Sequence, residues 1–504
     1  MDPMQTNSPR LDSPAGVVEP HVKRVATVIV LGSIMSILDT TIVNVALDSL
    51  SHDLHAPLSS IQWVVTAYLL ALAAVIPLSG WAVRRFSAFH VYLVALVLFT
   101  AGSALCGLAN TAPELIAFRA LQGIGGGMLV PTGLTILVRA TGPVNLPKVM
   151  SVIGVPMILA PVFGPTLGGF LLQSVGWHAI FMVNVPIGIV TTFVALRLLP
   201  RDTPTGDAGP LDWVGLVLAG VGTVGITFGL SESATAGSFT ATSVVVPILL
   251  GLVLLGAFVL RALRIDNPLL DIRLYRIPAY SSASVVTFFL GAALFGAMIL
   301  LPLYFQVARG QDAIHTGLLL IPQGIGAGIG MNRSAQATRR FGAGLTSLCG
   351  GVIMVLATIP FLLIGSTTSF TLIGVAMFVR GIGVGFSFMP AMTAAFSALS
   401  HDQVGDGSPQ LNVVQRVGGS LGTAVVAVVL QSKLSHLGGV SNGPAAHVSP
   451  DAVAAAFAQT YWWVIGMTLV SLIPSIVLWR IERRNRAAGA GNGTPDDMLM
   501  EILA

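Results

Sequence analysis

The chain has 504 residues, 54% of them apolar and 9% charged, against about 25% charged in a soluble domain, which excludes a water-soluble globule. The net charge of +4 gathers between apolar runs rather than along one face, so nucleic acid is not an expected partner. Cys106 and Cys349 each fall inside an apolar run, which excludes a disulfide framework or a Cys-rich metal site and reads as small buried packing residues.

In chain order, residues 1–22 are polar with no apolar stretch ahead of a cleavage site, so no removable signal is expected and the first span directs insertion. Apolar runs of about 20 residues, enough to cross a hydrocarbon core of about 30 Å, then fall near 25–47, 60–82, 89–109, 113–138, 148–174, 178–199, 212–231, 243–264, 282–306, 313–337, 343–364, 370–395, 408–431 and 460–481. The expected fold class is an all-α polytopic membrane protein with 14 spans and both termini cytoplasmic. Its 56 glycines and 29 prolines suit closely packed, bendable helices. In this register 20 of the 25 Lys and Arg residues lie on the inferred cytoplasmic side, Arg309 and Lys433 lie outside, and Arg119, Arg380 and Arg416 lie within spans, the bias of the positive-inside rule. The longest exterior segment, about 432–459, ends in Ser449-Pro450-Asp451, a helix N-cap followed by proline in the first turn.

The chain repeats itself. Arg84-Arg85-Phe86-Ser87 follows the second span and Arg339-Arg340-Phe341-Gly342 the tenth; Arg119 precedes Gly123-Ile124-Gly125-Gly126-Gly127 and Pro131, and Arg380 precedes Gly381-Ile382-Gly383-Val384-Gly385 and Pro390. Two related halves are a common plan for transporters. The expected division is a tail over 1–22, a six-helix bundle over 23–200, two inserted spans with their linker over 201–281, a second six-helix bundle over 282–482 and a tail over 483–504.

None of the three lysines follows a glycine, so no phosphate-cradling loop and no ATP-driven step are expected. The glycine runs at 123–127, 324–330 and 381–385 read as close helix contacts rather than dinucleotide loops. Energy then comes from an ion gradient or from the substrate's own gradient, with no cofactor and no metal. Of the 21 acids, Asp39 alone lies deep in a span, and intramembrane ionisable residues mark transport pathways. Asp39 and Arg119 fall in one slab of the membrane; burial holds a proton on the acid while a guanidinium opposes it. The pair therefore reads either as a proton-coupling pair or as a static ion pair that fixes helix packing. Arg380 and Arg416 are read as gating or structural. Gln62, Trp63, Tyr68, Phe295, Tyr304, Gln306 and Gln323 are polar or aromatic residues within spans and read as cavity-lining or packing residues.

These residues resemble the major facilitator superfamily, and within it the fourteen-spanner drug:proton antiporters. Gly164-Pro165-Thr166-Leu167-Gly168-Gly169 matches that family's G-P-x-x-G-G antiporter motif, and Trp177, Phe181 and Asn184-Val185-Pro186-Ile187-Gly188 match the signature that follows it. Leu38 to Leu47 is similar to the first-helix motif, Gln62 to Leu70 to the second, and Arg119-Ala120-Leu121-Gln122-Gly123 to the fourth, whose arginine the family implicates in proton movement. Two positions depart. Arg84 stands where the loop after the second span usually has aspartate, and Asp48 where proline is usual. The first departure removes the acid of the family's conformational latch and leaves Arg84 and Arg85 to meet anionic lipid headgroups.

The resemblance implies a monomeric plasma-membrane exporter, not an enzyme. It would exchange protons for amphipathic organic molecules, often cationic or neutral, with Asp39 and Arg119 as the coupling pair. By resemblance, Gly164, Pro165, Gly168 and Gly169 keep exchange tight. A dedicated exporter of one endogenous product and a proton-driven importer share this plan.

Overall fold

The computed structural model describes residues 20–141, 145–203, 209–437 and 449–490. Expectations for most of the tail 1–22, for 491–504 and for 438–448 lie outside the described residues. Every regular element among those described is helical.

Prolines and short polar residues set the helix boundaries. α1 (Pro20–Ile42) passes through a 3-10 turn at Val43–Ala46 into α2 (Leu47–Asp53). α3 (Leu58–Val75) and α4 (Leu78–Phe86) meet at a 55° bend beside Pro77, where the ring removes a backbone donor. α5 (Ala88–Gly107) and α6 (Ala112–Ala140) follow; Thr111 and Glu114 box the start of α6, each side chain accepting from backbone near the other. Next come α7 (Leu146–Ser174), α8 (His178–Met182) and α9 (Asn184–Leu198). α10 (Trp213–Ala236) is capped by Asp212, and α11 (Thr242–Arg264) returns from it. The remainder is α12 (Pro278–Leu303), α13 (Ala313–Phe341), α14 (Ala343–Thr358), α15 (Phe370–Ser397), α16 (Val404–Leu437) and α17 (Pro450–Ala490). Ser449 accepts from the Ala452 amide at 3.2 Å at the start of α17.

Among the described residues, eleven helices are each long and apolar enough to cross a membrane, and twelve if the bent α3–α4 pair counts as one span. α7 and α13, 29 residues each, occupy the two remaining apolar runs of the sequence.

The packing of α1 to α9 is repeated by α12 to α17. α6 lies against α1, α3 and α5, as α15 lies against α12, α13 and α14; α1 packs on α7 as α12 does on α16, and α5 on α9 as α14 does on α17. Glycines make these contacts close. A side chain at Gly123 or Gly127 would meet the backbone of α3 at Tyr68 or Leu72, and one at Gly125 the backbone of α5 at Ala95 and Phe99. The second set mirrors the first, with Gly381 and Gly385 against α13 and Gly383 against α14. The repeated glycine runs are thus seams at which α6 and α15 each join two neighbours.

α10 sits against both α3 and α16 and carries α11 on its outer side; α11 turns a row of exposed leucines and valines outward. At the end of the molecule that carries Arg84, Arg139 and Arg339, here the arginine-rich end, the two sets of helices are joined. Arg84 pairs with Asp406, and Ser408 Oγ donates to the Pro131 carbonyl at 2.8 Å. Cys106 is buried as expected, whereas Cys349 is exposed. Gly350 and Gly351 are buried and supply the close contacts of that turn with Ser387 and Leu472, and Cys349 falls on the outward face.

Candidate functional site

Asp39 and Arg119 meet. Arg119 Nη1 lies 2.5 Å from Asp39 Oδ2, and neither side chain has any exposed surface. The carboxylate takes two further donors, Gln122 Nε2 at 3.0 Å and Asn184 Nδ2 at 3.2 Å, both on Oδ1. Arg119 also donates through Nε to the Val64 carbonyl at 3.1 Å and through Nη1 to Gln122 Oε1 at 2.8 Å, and it lies 4.1 Å over the Tyr68 ring. Such a pair is costly to bury and persists only when the remaining lone pairs and protons are bonded.

Four helices supply this cluster. Arg119 and Gln122 are three residues apart on α6 and so share a face. α1 brings Asp39, α3 brings Tyr68, and Asn184 opens α9. Ser103 of α5 fixes Asn184: it accepts from Asn184 Nδ2 at 3.1 Å and donates to the Phe181 carbonyl at 2.8 Å. Tyr68 donates to the Ser36 carbonyl at 3.2 Å, one turn before Asp39 on α1. Arg119 Nη2 and Asn184 Oδ1 are buried without a protein partner.

α7 closes the cluster from the side. A side chain at Gly168 would sit 2.9 Å from the Ile42 carbonyl oxygen, and one at Gly164 would collide with Thr41, so α7 lies directly on α1 one turn beyond Asp39. Gly169 faces open space. Its small size serves no contact here. The side chain of Pro165 lies outside the described residues.

The remaining sequence candidates divide. Tyr68 belongs to the buried cluster. Gln323 is likewise buried and accepts from Arg380 Nη1 at 3.5 Å, while Tyr304 is buried and donates to the Gly365 carbonyl at 2.7 Å. Tyr68, Gln323 and Tyr304 each turn a polar tip to an internal hydrogen bond. Phe295 packs on Gly419 in the α12–α16 seam. Trp63, 46% exposed, stacks on Phe228 of α10 with centroids 6.2 Å apart. Gln62, in the first turns of α3, and Gln306, in the π turn Tyr304–Ala308 that follows α12, are exposed at the end opposite the arginine-rich one.

Arg84 does not face headgroups. It pairs with Asp406 and donates to the Pro268 and Leu269 carbonyls, while Arg85 is exposed. Asp406 is committed to Arg84 and lies ten residues, about 15 Å along the helix, from Arg416.

Residues missed by the sequence reading are Gln122, Ser103 and Asn184. Gln122 was within reach, since it stands on the same face as Arg119 within a quoted motif; Ser103 carried no local signal.

Residues 29–423 match the family model of the Major Facilitator Superfamily, and the chain belongs to that superfamily. It is a multi-pass membrane transporter and not an enzyme. It is 38% identical over 416 residues to the multidrug resistance protein B homolog of Mycobacterium tuberculosis (strain ATCC 25618 / H37Rv), covering 82% of this chain and 77% of that one. It is 30% identical over 406 residues to the uncharacterized MFS-type transporter YhcA of Bacillus subtilis (strain 168), covering 81% and 76%. The crystal structure of the human organic anion transporter MFSD10 (TETRAN) superposes with a TM-score of 0.62 at 16% identity, over 91% of this chain and 100% of that one, a likeness of fold.

Proposed function

We propose that this protein is a plasma-membrane exporter that exchanges protons for amphipathic organic molecules by alternating access. In this reading it has 14 spans, with both termini cytoplasmic and bundles over 23–200 and 282–482 flanking the insertion 201–281. The observation that carries it is the Asp39–Arg119 pair, 2.5 Å long and without exposed surface, in a chain whose relative is named for multidrug resistance. The charge distribution along the sequence supports the topology.

Asp39 is held by three donors from α6 and α9, and no proton reaches it while the cluster stays closed. A movement that draws α1 away from α6 admits water and exposes the carboxylate to one side. Protonation then removes the Coulomb partner of Arg119, leaving the guanidinium bonded to Val64 and Gln122 and stacked on Tyr68. The α7 glycines allow α1 and α7 to move as a packed pair. Each charge that crosses with the field gains about 2.3 kcal/mol per 100 mV.

The test is reconstitution in liposomes with an imposed pH gradient, following dye extrusion and lumenal pH together. Asp39→Asn is expected to abolish substrate-driven proton flux. Unchanged flux in that variant overturns the coupling role.

A further inference from the structure

Arg119, Arg380 and Arg416 stand at membrane depth, and among the described residues Asp39 is the one carboxylate there, the other described acids lying toward helix ends or in loops. Asp39 is committed to Arg119. Among the described residues, two cations are left without a counter-charge. Arg380 is 1% exposed, donates from Nη2 to the Ala293 carbonyl at 3.3 Å, and keeps Nε buried without a partner.

Arg416 is half-buried and has no ion pair or hydrogen bond among the described residues. Gly418, Gly419 and Gly422 meet α12 on an arc about 200–300° around the helix from Arg416, and Val417 and Leu421 pack with Ile226 and Leu230 of α10 at about 100–140°, counting about 100° per residue. Arg416 therefore leaves α16 between its α12 and α10 contacts, on the face it shares with Asn412, Ser420 and Thr423, and the Tyr68 phenol of the first bundle is among the groups within reach of its charge. That ring is the one Arg119 stacks on. Arg380 holds α12 at Ala293, and Gln415, next to Arg416, packs on α12 at Gly291, so both guanidiniums stand at one level of the second bundle. An ionised group at this depth without a partner is costly and marks a ligand pathway, and a guanidinium presents a fork of donors that fits carboxylate, sulfonate or phosphate.

We propose that Arg416 receives the anionic group of an amphipathic substrate in the seam between the two bundles, with Arg380 adding a second fixed positive charge. This rests on the exporter reading and narrows it: the preferred cargo is an organic anion, in place of the cationic or neutral molecules expected from the sequence. The cargo's charge then lies across Tyr68 from the Asp39 cluster, which brings the exchanged proton and the exported anion to neighbouring sites.

The experiment is equilibrium binding to the purified protein in an uncharged detergent, read by energy transfer from tryptophan. The probes are 11-(dansylamino)undecanoate and its primary amide, which share one body and differ in charge. Wild type is expected to bind the carboxylate at least tenfold more tightly than the amide. Arg416→Gln is expected to remove that preference while amide binding stays within about twofold, which also shows that the variant is folded; Arg416→Lys keeps part of the preference. Equal binding of the two probes by wild type, or a preference that survives Arg416→Gln, overturns the proposal. Binding in detergent needs no gradient and no efflux, so its failure is distinguishable from a failure of proton exchange in Asp39→Asn.

Discussion

Removing one member of a buried ion pair costs more than the pair itself contributes, because the partner is left charged and unmatched. Arg119→Ala strands Asp39 and also strips the Tyr68 ring of its cation, so it is expected to destabilise the protein by about 3–5 kcal/mol and to lower its midpoint of thermal unfolding in detergent. Asp39→Asn keeps a side chain of the same shape and is expected to lower that midpoint less. An unchanged midpoint in Asp39→Asn would show that the charge on Asp39 contributes nothing to holding the cluster. At this scale the sequence was informative where chemistry is rare: one acid deep in a span and one arginine at matching depth name each other. It was silent where partners are common residues far apart in the chain, as with Asn184, which reaches Asp39 across 145 positions, or Tyr304 and Gln323, whose polar tips turn to internal partners that residue order does not reveal.

Helices here are positioned by what glycine omits. Gly168→Val places carbon against the Ile42 carbonyl and is expected to cost about 1–3 kcal/mol by overpacking, with a matching loss of coupled transport, whereas Gly169→Ala meets nothing within 4 Å and should be neutral in both assays. If the two behave alike, close packing of α7 on α1 is not what the motif provides. The repeat exposes a second weak point. Ser87 takes a φ of +74° at the corner where the other half has Gly342 at +95°, a backbone region costly for a side chain. Ser87→Gly is expected to raise stability by about 1 kcal/mol, measured by thermal unfolding, even though it removes the weak Ser87 cap on His90. The matching glycine runs were legible as seams in the sequence; the partners of each glycine required the fold, since α3 and α5 approach α6 from faces that order alone does not assign.

Across the whole molecule, the arginine-rich end is joined by a pair formed from residues 322 positions apart. Arg84→Asp places like charges together and is expected to shift the two bundles apart at that end. The double variant Arg84→Asp with Asp406→Arg should restore the closed form. For a partly exposed pair the coupling is about 1 kcal/mol, or roughly a fivefold change in population, readable as distances between spin labels on α4 and α16. A double variant that stays open would show that the pair does not set this equilibrium. The acid missing after the second span is thus answered from the start of α16 with the signs reversed, which no local reading of the loop could supply.

α10 wedges against α3 and α16 at once, with Phe228 stacked on Trp63 and Gly220 close on Ala74. That wedge works as a gasket along one flank. Molecules dissolved in the bilayer meet the hairpin there, and on another flank they meet α7 packed on α13.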